Sequence, residues 1–379
     1  MHGTHGSRRT RPFLSLVMVW LAIFFWAASP ASAATWSRQA SPNPFPQQDV
    51  LVDVDCVSAA WCMAVGSGVN SANSIRGFAA RWNGSSWQTV SPSTDAGLHD
   101  VGCVSSSKCF AVGQRVALST GHRLPVLLRW NGTGWTSVAL SVPAAQQYAT
   151  LDGVDCGTST SCLAVGGTSN GSGTPFHTLA YHYNGTSWAR LTSPNPSAGP
   201  AGNYFTDASC TSGSNCYAAG TAENKTLVER WRGASTWNRL PTPSPRAWNT
   251  FRAISCTSTT SCYAVGETYT ADRNVENAFA EHYNGTSWST RTFTASNTSY
   301  LSGVSCVSAS TCIAAGGAGQ RTLAVKHTAA GWATLSTPNP GVANYFQGVS
   351  CWAGPSCEAV GSYTTAASPG GRSLAARYS

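Results

Sequence analysis

Charge is scarce in this chain. Only 10% of its 379 residues are Asp, Glu, Lys or Arg, and just three of the 23 basic ones are lysines: Lys108, Lys225 and Lys326. Those three lie far apart, so there is no basic stripe of the kind that tracks a nucleic-acid backbone, and no nucleic-acid partner is expected. Beyond residue 33 no apolar run approaches the roughly 20 residues that a membrane-spanning helix needs. The sequence also lacks a glycine-rich phosphate loop, a His-x-x-x-His pair and a nucleophile elbow. Neither a cofactor nor a resident metal is expected, and no residue is assigned as catalytic.

What is present in excess is paired cysteine. All 14 cysteines fall into seven pairs with five residues between members: Cys56/Cys62, Cys103/Cys109, Cys156/Cys162, Cys210/Cys216, Cys256/Cys262, Cys306/Cys312 and Cys351/Cys357. Successive pairs recur every 45 to 54 residues, a period that points to a propeller or a solenoid. Even-numbered, regularly spaced cysteines read as a disulfide framework in an oxidising compartment, whereas zinc sites use shorter spacings. The N-terminus agrees with export. Arg8, Arg9 and Arg11 precede an apolar run over residues 13–28, and Ala31-Ser32-Ala33 supplies a cleavage signal. This is the layout of a secretory signal peptide. We read residues 1–33 as the signal and 34–379 as a single secreted domain, free of the membrane after cleavage and monomeric. Without the three signal arginines, 20 basic residues face 15 acidic ones.

The first repeat shows the plan of all seven. Leu51-x-x-Val-x-Cys56 suggests an innermost strand and Cys62-x-Ala-Val-Gly66 a second. A third ends at Arg81-Trp82, and a fourth begins near Trp87 and stops at Pro92. Asn83-Gly84 lies between the last two, and Asn131-Gly132, Asn184-Gly185 and Asn284-Gly285 recur in the same place. Asn-Gly favours a type I′ hairpin, which needs positive φ twice. Proline cannot donate to a sheet ladder, so the Ser-Pro and Pro-Asn-Pro segments end the fourth strands. The last repeat stops at Tyr378-Ser379, after its third strand. The stretch from Trp36 to Pro44 matches a fourth strand elsewhere, such as Trp188 to Pro196. The expected fold is therefore all-β: a seven-bladed β-propeller, four antiparallel strands per blade, with the ring closed by the N-terminal strand completing the last blade.

The repeat resembles secreted, actinobacterial-type propeller proteins that carry a Ser-Cys-x-Ser-x-x-x-Cys-x-Ala-Val-Gly signature, seen here from Ser255 to Gly266. More loosely, Asn-Gly-x-x-Trp is similar to the Asp-box of sialidase-type propellers, with Asn in place of Asp. The resemblance implies the fold over the whole mature chain. It does not select a function, because propellers host lectins, lyases, hydrolases and scaffolds alike.

Recurrence favours structural roles. The second Trp of each repeat (Trp87, Trp135, Trp188, Trp237, Trp288, Trp332 and Trp36) reads as blade packing. So does the basic residue before the third-strand aromatic: Arg81, Arg129, His182, Arg230, His282, His327 and Arg377. Departures from the repeat are where a single site would lie. Asp53, Asp55, Asp100, Asp152, Asp155 and Asp207 crowd the inner strands of repeats one to four, and Asp100 and Asp207 are singled out as channel-lining acids. Tyr148, Tyr204, Trp248, Tyr300 and Tyr345 end the loops on one face beside amides such as Asn203, Asn249 and Asn344, a combination suited to sugars, and Arg252 stands near Trp248. Connections between the second and third strands range from the short Gly316–Gln320 stretch to the long Gly266–Asn277 one. The primary expectation is a non-catalytic binding propeller for carbohydrate or cell-wall polysaccharide. One alternative is a polysaccharide-active enzyme, a sialidase-like hydrolase or a lyase, with an acidic site near the channel. The other is an extracellular protein-interaction scaffold.

Overall fold

The computed structural model describes residues 1–3 and 34–379, apart from 93, 143–145, 172–174, 235, 273–275, 292, 294–297 and 355. The expected signal segment thus lies almost wholly outside the described residues. Among the described residues there are 28 strands and no helix long and apolar enough to cross a membrane.

Each cysteine pair sits across a hairpin. Cys56 lies directly opposite Cys62, Cys103 opposite Cys109, Cys156 opposite Cys162, and Cys210 opposite Cys216. Cys256 faces Cys262, Cys306 faces Cys312, and Cys351 faces Cys357 in the same register. All seven pairs are bridged, as the spacing predicts. Around each hairpin four antiparallel strands are built, and a single parallel bridge between Tyr148 and Arg123 joins blades two and three. In blade one its strands run from the axis outward as Gln48–Ser58, Trp61–Val69, Ile75–Trp82 and Trp87–Thr89. Seven such blades make a β-propeller. Blade seven takes its inner three strands, Ala343–Ala353, Ser356–Thr365 and Ser368–Tyr378, from one end of the chain and its outer strand, Trp36–Gln39, from the other. Trp36 faces Tyr378 there as Trp87 faces Trp82 in blade one. Asn43 accepts from Ser373 N–H (2.8 Å) as Asn195 does from Thr178 and Asn339 from Thr322. Blade seven also contacts blade one. Cys56 N–H donates to Ser350 Oγ at 3.0 Å, and the Arg377 guanidinium lies 4.6 Å from the Trp82 ring centre and donates to Ala59 O.

The core lies between blades. Leu51, Phe78 and Trp82 of blade one pack with Val360 and Ala375 of blade seven, and similar clusters fill other blade interfaces. The second Trp of a repeat lies against the third-strand aromatic opposite it, as in Trp130–Trp135 at 5.5 Å and Tyr283–Trp288 at 5.4 Å. The basic residues beside them also bridge blades: His182 packs on Trp231 at 4.6 Å, and Lys326 lies 5.5 Å from the Tyr378 ring centre.

One irregularity recurs in every blade and decides where the site lies. The innermost strand carries a β-bulge four residues before its first cysteine, between Leu51 and Asp53 in blade one and at the matching place in all seven. A bulge leaves one residue unpaired and re-aims its side chain. The residue before it stays in the core: Leu51, Leu98, Leu151, Phe205, Phe251, Leu301 and Phe346 are all 0% exposed. The closing Gly of Ala-Val-Gly is explained by the same feature. A Cβ at Gly66 would come within 2.0 Å of the Val50 carbonyl oxygen, and the other blades repeat this clash.

The disulfide framework is as expected, and the second cysteine of each pair lies in the core. Cys62, Cys109, Cys162, Cys216, Cys262, Cys312 and Cys357 are 0–1% exposed, because each sits on a second strand whose face packs into an interblade cluster. Their bridges pin the inner hairpin of each blade and leave no sulfur for a ligand. The Asn-Gly turns are not type I′. Gly84 has φ of 97°, yet Asn83 is not left-handed. The connection is four residues long, and the Asn83 carboxamide accepts from the N–H groups of Ser85 and Ser86 at 2.9 Å, fixing the turn without a second positive φ. In blade six the register differs by one from expectation: His327 takes the aromatic place opposite Trp332, and Lys326, not His327, takes the basic place. The connection after Gly316 shrinks to Gly319-Gln320, and the Gly266–Asn277 stretch to residues 270–275, because the strands extend into both.

Candidate functional site

The bulges turn one side chain per blade toward the propeller axis. These are Val52, His99, Asp152, Thr206, Arg252, Ser302 and Gln347, and all seven line one cavity of about 630 Å³. No residue type occurs twice. Together they form a crown that breaks the sevenfold repeat at the mouth of the channel.

Beneath the crown, the residue three before each first cysteine contributes Asp53, Asp100 and Asp207, with Ala253 and Gly303 on the far side. Each of these carboxylates also holds the next blade. Asp53 accepts from Val101 N–H at 3.2 Å, Asp100 from Val154 N–H at 2.5 Å, and Asp207 from Ile254 N–H at 2.8 Å. Burial pushes Asp53 and Asp207 well above the ordinary carboxylate range, and repulsion from Asp100 adds to both. Burial raises Asp100 as well. Asp55 and Asp155, one residue before the cysteine, do not line the cavity. They accept from the Cys103 and Cys210 N–H groups at 2.8 and 2.7 Å, so their role is to join blades.

The crown is internally braced. His99 Nδ1 meets Asp152 Oδ1 at 2.7 Å, and Tyr204 Oη donates to Asp152 Oδ2 at 2.5 Å. Burial and the Asp152 charge hold the Tyr204 phenol well above its usual pKa, so it stays protonated. Arg252 grips the buried Glu267 with two nitrogens, Nε at 2.9 Å and Nη2 at 2.5 Å from Oε1. Half of the Arg252 side chain remains exposed, against 3% for Glu267. Thr206 and Ser302 donate to the Phe251 and Phe346 carbonyls of the next blade at 2.8 and 2.9 Å.

The structure therefore brings five of the eight residues singled out in the sequence, Asp100, Asp207, Tyr204, Arg252 and Tyr300, into one cavity. Trp248 lines a second cavity of about 490 Å³ that shares Tyr204, Thr206, Arg252 and Glu267 with the first. Tyr148 lines a small cavity of about 100 Å³ that shares Asp152 and Tyr204 with the first, and the Arg123 guanidinium lies 5.8 Å from its ring centre. Tyr345 stacks on Tyr300 at 6.4 Å and lines neither the first nor the second cavity. No cysteine lines either of them. The five loop aromatics are all half-buried. The amides beside them are not available to a sugar. Asn203, Asn249 and Asn344 are 1–2% exposed, and each carboxamide closes its own loop, as Asn249 does on the Arg246 N–H and carbonyl at 2.9 and 2.7 Å. His99, Thr206, Ser302 and Gln347 were missed by the sequence reading. Their signal is present, since the position four before the first cysteine is polar in six repeats and different in all seven.

No protein-family model and no curated protein matches the chain. Solved structures do match in shape. YCF48 from Cyanidioschyzon merolae aligns with a TM-score of 0.51 at 14% identity, over 91% of this chain and 98% of that one. YCF48 bound to D1 peptide aligns at 0.50 and 12% identity, over 91% of this chain and 94% of that one. The GH74 xyloglucanase from Xanthomonas campestris aligns at 0.54 and 9% identity, over 88% of this chain and 54% of that one. At these identities the likeness is one of fold.

Proposed function

We propose that this is an exported, non-catalytic binding propeller whose ligand is a neutral or amine-bearing carbohydrate, held at the crowned mouth of the channel. The observation that carries the reading is the crown: seven unlike side chains converge on a single cavity, mixing hydroxyl, imidazole, amide and charged groups within reach of Tyr204 and Tyr300. Densely placed donors and acceptors beside aromatic rings suit a polyol, and a cavity of this size is typical of ligand sites. Seven disulfides suit an oxidising compartment, which supports export.

Charge narrows the ligand class. Asp53, Asp100, Asp152, Asp207, Glu267 and Glu276 all line the cavity, with Arg252 and His99 as its basic residues. Arg252 is already committed to Glu267. The lining thus offers a sialate or uronate carboxylate no guanidinium free of an acid partner, which disfavours the sialidase-like and lyase alternatives. The axial carboxylates also serve as interblade clamps, and the Tyr204 phenol keeps its proton, so neither is set up as a free nucleophile or base. The xyloglucanase shows only that the fold accommodates a carbohydrate-active protein. The D1-peptide complex of YCF48 keeps a peptide-binding scaffold as the second reading.

The test is an array of neutral, amine-bearing and anionic glycans probed with the oxidised mature protein. Selective binding to uncharged or amine-bearing glycans, weakened about tenfold or more by Asp207→Asn in a protein that still folds, is the expected result. Preference for anionic glycans, or turnover of any of them, would overturn this reading.

A further inference from the structure

The axial and side cavities are lined in common by Tyr204, Thr206, Arg252 and Glu267. Beyond that shared wall the first reaches Asp100 and Asp207 at the axis, and the second reaches Trp248 and Tyr269 toward the rim. Resting on the carbohydrate reading above, we propose that the two are one trough for a linear oligosaccharide, with one end of the chain seated among the axial acids and the other leaving past Trp248.

The architecture gives a reason for the exit lying here. Blade four joins its second and third strands in two residues, Glu223-Asn224, both in the left-handed region at φ of 47° and 64°. The matching connections of blades three and five are longer in sequence, residues 170–176 and 270–275. Blade four thus has fewer residues in this connection than the blades on either side. The short turn is also held in place, because Asn249 N–H of blade five donates to Asn224 O at 2.8 Å. Asn224 itself lines the side cavity.

Two flat groups of the shared wall are held in place. Arg252 is fixed by two nitrogens on Glu267 yet leaves half its side chain exposed. Tyr204 is held by its bond to Asp152. A flat guanidinium and a flat ring in fixed positions offer successive sugar units a stacking and hydrogen-bonding surface at little ordering cost. Each cavity is of a size that holds a ligand unit, so neither alone would take the whole chain.

The reading is tested by calorimetric titration of the mature protein with cello-, manno- and chito-oligosaccharides of one to six units. The expected result is that at least one series gains about tenfold or more in affinity between one unit and the length that fills both cavities, and then stops gaining. Trp248→Ala should weaken the filling oligosaccharide about tenfold more than it weakens the single unit. Trp248→Tyr, which keeps an aromatic ring, should restore most of the gain, and thermal unfolding of both variants separates lost contact from lost fold. A series that binds with no gain beyond one unit, or a gain that survives Trp248→Ala in a folded protein, overturns the trough and leaves the axial carbohydrate site standing. If no series binds, the trough fails; a glycan array that is also blank removes the carbohydrate reading beneath it.

Discussion

Two rings of side chains, three residues apart on the same inner strands, do opposite things. The ring one residue before the first cysteine is Asp55, Gly102, Asp155, Ser209, Ser255, Ser305 and Ser350. Six of its members accept from the first-cysteine N–H of the following blade: Asp55 from Cys103, Asp155 from Cys210, Ser209 from Cys256, Ser255 from Cys306, Ser305 from Cys351 and Ser350 from Cys56. Gly102 is the exception, and a Cβ there would sit 2.7 Å from the Val154 carbonyl. The ring four residues before the cysteine is the crown, seven unlike side chains around a cavity. Where the residues repeat, they carry one structural bond at six of the seven places; where they differ, they make a place. The clamp ring should answer to stability measurements and the crown to binding.

The largest effect comes from leaving both rings intact and removing their support. Deleting residues 34–44 takes away the outer strand of blade seven, the buried Trp36 and the Asn43 bond to Ser373. Loss of one large buried ring alone costs about 3–5 kcal/mol, and the strand adds to it, so the unfolding midpoint should fall by roughly 10 °C or more. An unchanged midpoint would defeat the closed ring. Next in size is the acid content of the clamp ring. Burial raises Asp55 to about 6 and Asp155 to about 7, against about 3.9 in an unfolded chain. The folded protein thus keeps protons that the unfolded chain gives up. Their contribution is full below about pH 4 and is lost as pH rises toward 7. Asp155→Ser, copying blades four to seven, retains an acceptor for Cys210 and removes the titration. Its unfolding free energy should exceed the parent's by roughly 2 kcal/mol at pH 8 and match it at pH 4. Denaturant unfolding at the two pH values decides this, and equal differences at both would reject the assignment.

The architecture was legible in the sequence because it is written seven times. The cysteine period, the Ala-Val-Gly strand and the Trp36 match to Trp188 each repeat a local physical need. The crown was not legible in the same way. Departures from the repeat led to Asp53, Asp100, Asp152 and Asp207, whereas plain strand alternation would put the residue four before the cysteine on the opposite face from the residue three before it. The bulge reverses that assignment, and nothing local in Val52, His99 or Gln347 announces it. The Gly66 clash with the Val50 carbonyl is the trace the bulge leaves in sequence, but an Ala-Val-Gly strand reads equally well without one. The buried Asn203, Asn249 and Asn344 misled for a related reason: an amide beside a loop aromatic looks the same in sequence whether it faces solvent or closes its own loop.

Smaller effects separate the rings most cleanly. Ser305→Ala removes one clamp, the 3.0 Å bond to Cys351 N–H, and should cost about 1 kcal/mol, the usual net worth of a hydrogen bond. Glycan affinity should not move, since Ser305 lies outside the cavity lining. Gln347→Ala is the converse. Gln347 is the crown member of blade seven, and no clamp passes through it, so stability should change by less than about 0.5 kcal/mol. If the crown reads the ligand as a set, affinity for the bound glycan should nonetheless fall about threefold to tenfold, measured by the same titration that serves Ser305→Ala. The two variants form a crossed pair. A Gln347→Ala protein that loses stability and keeps its affinity, beside a Ser305→Ala protein that does the reverse, would mean that the variable ring is packing and that the site must be sought on another face of the propeller.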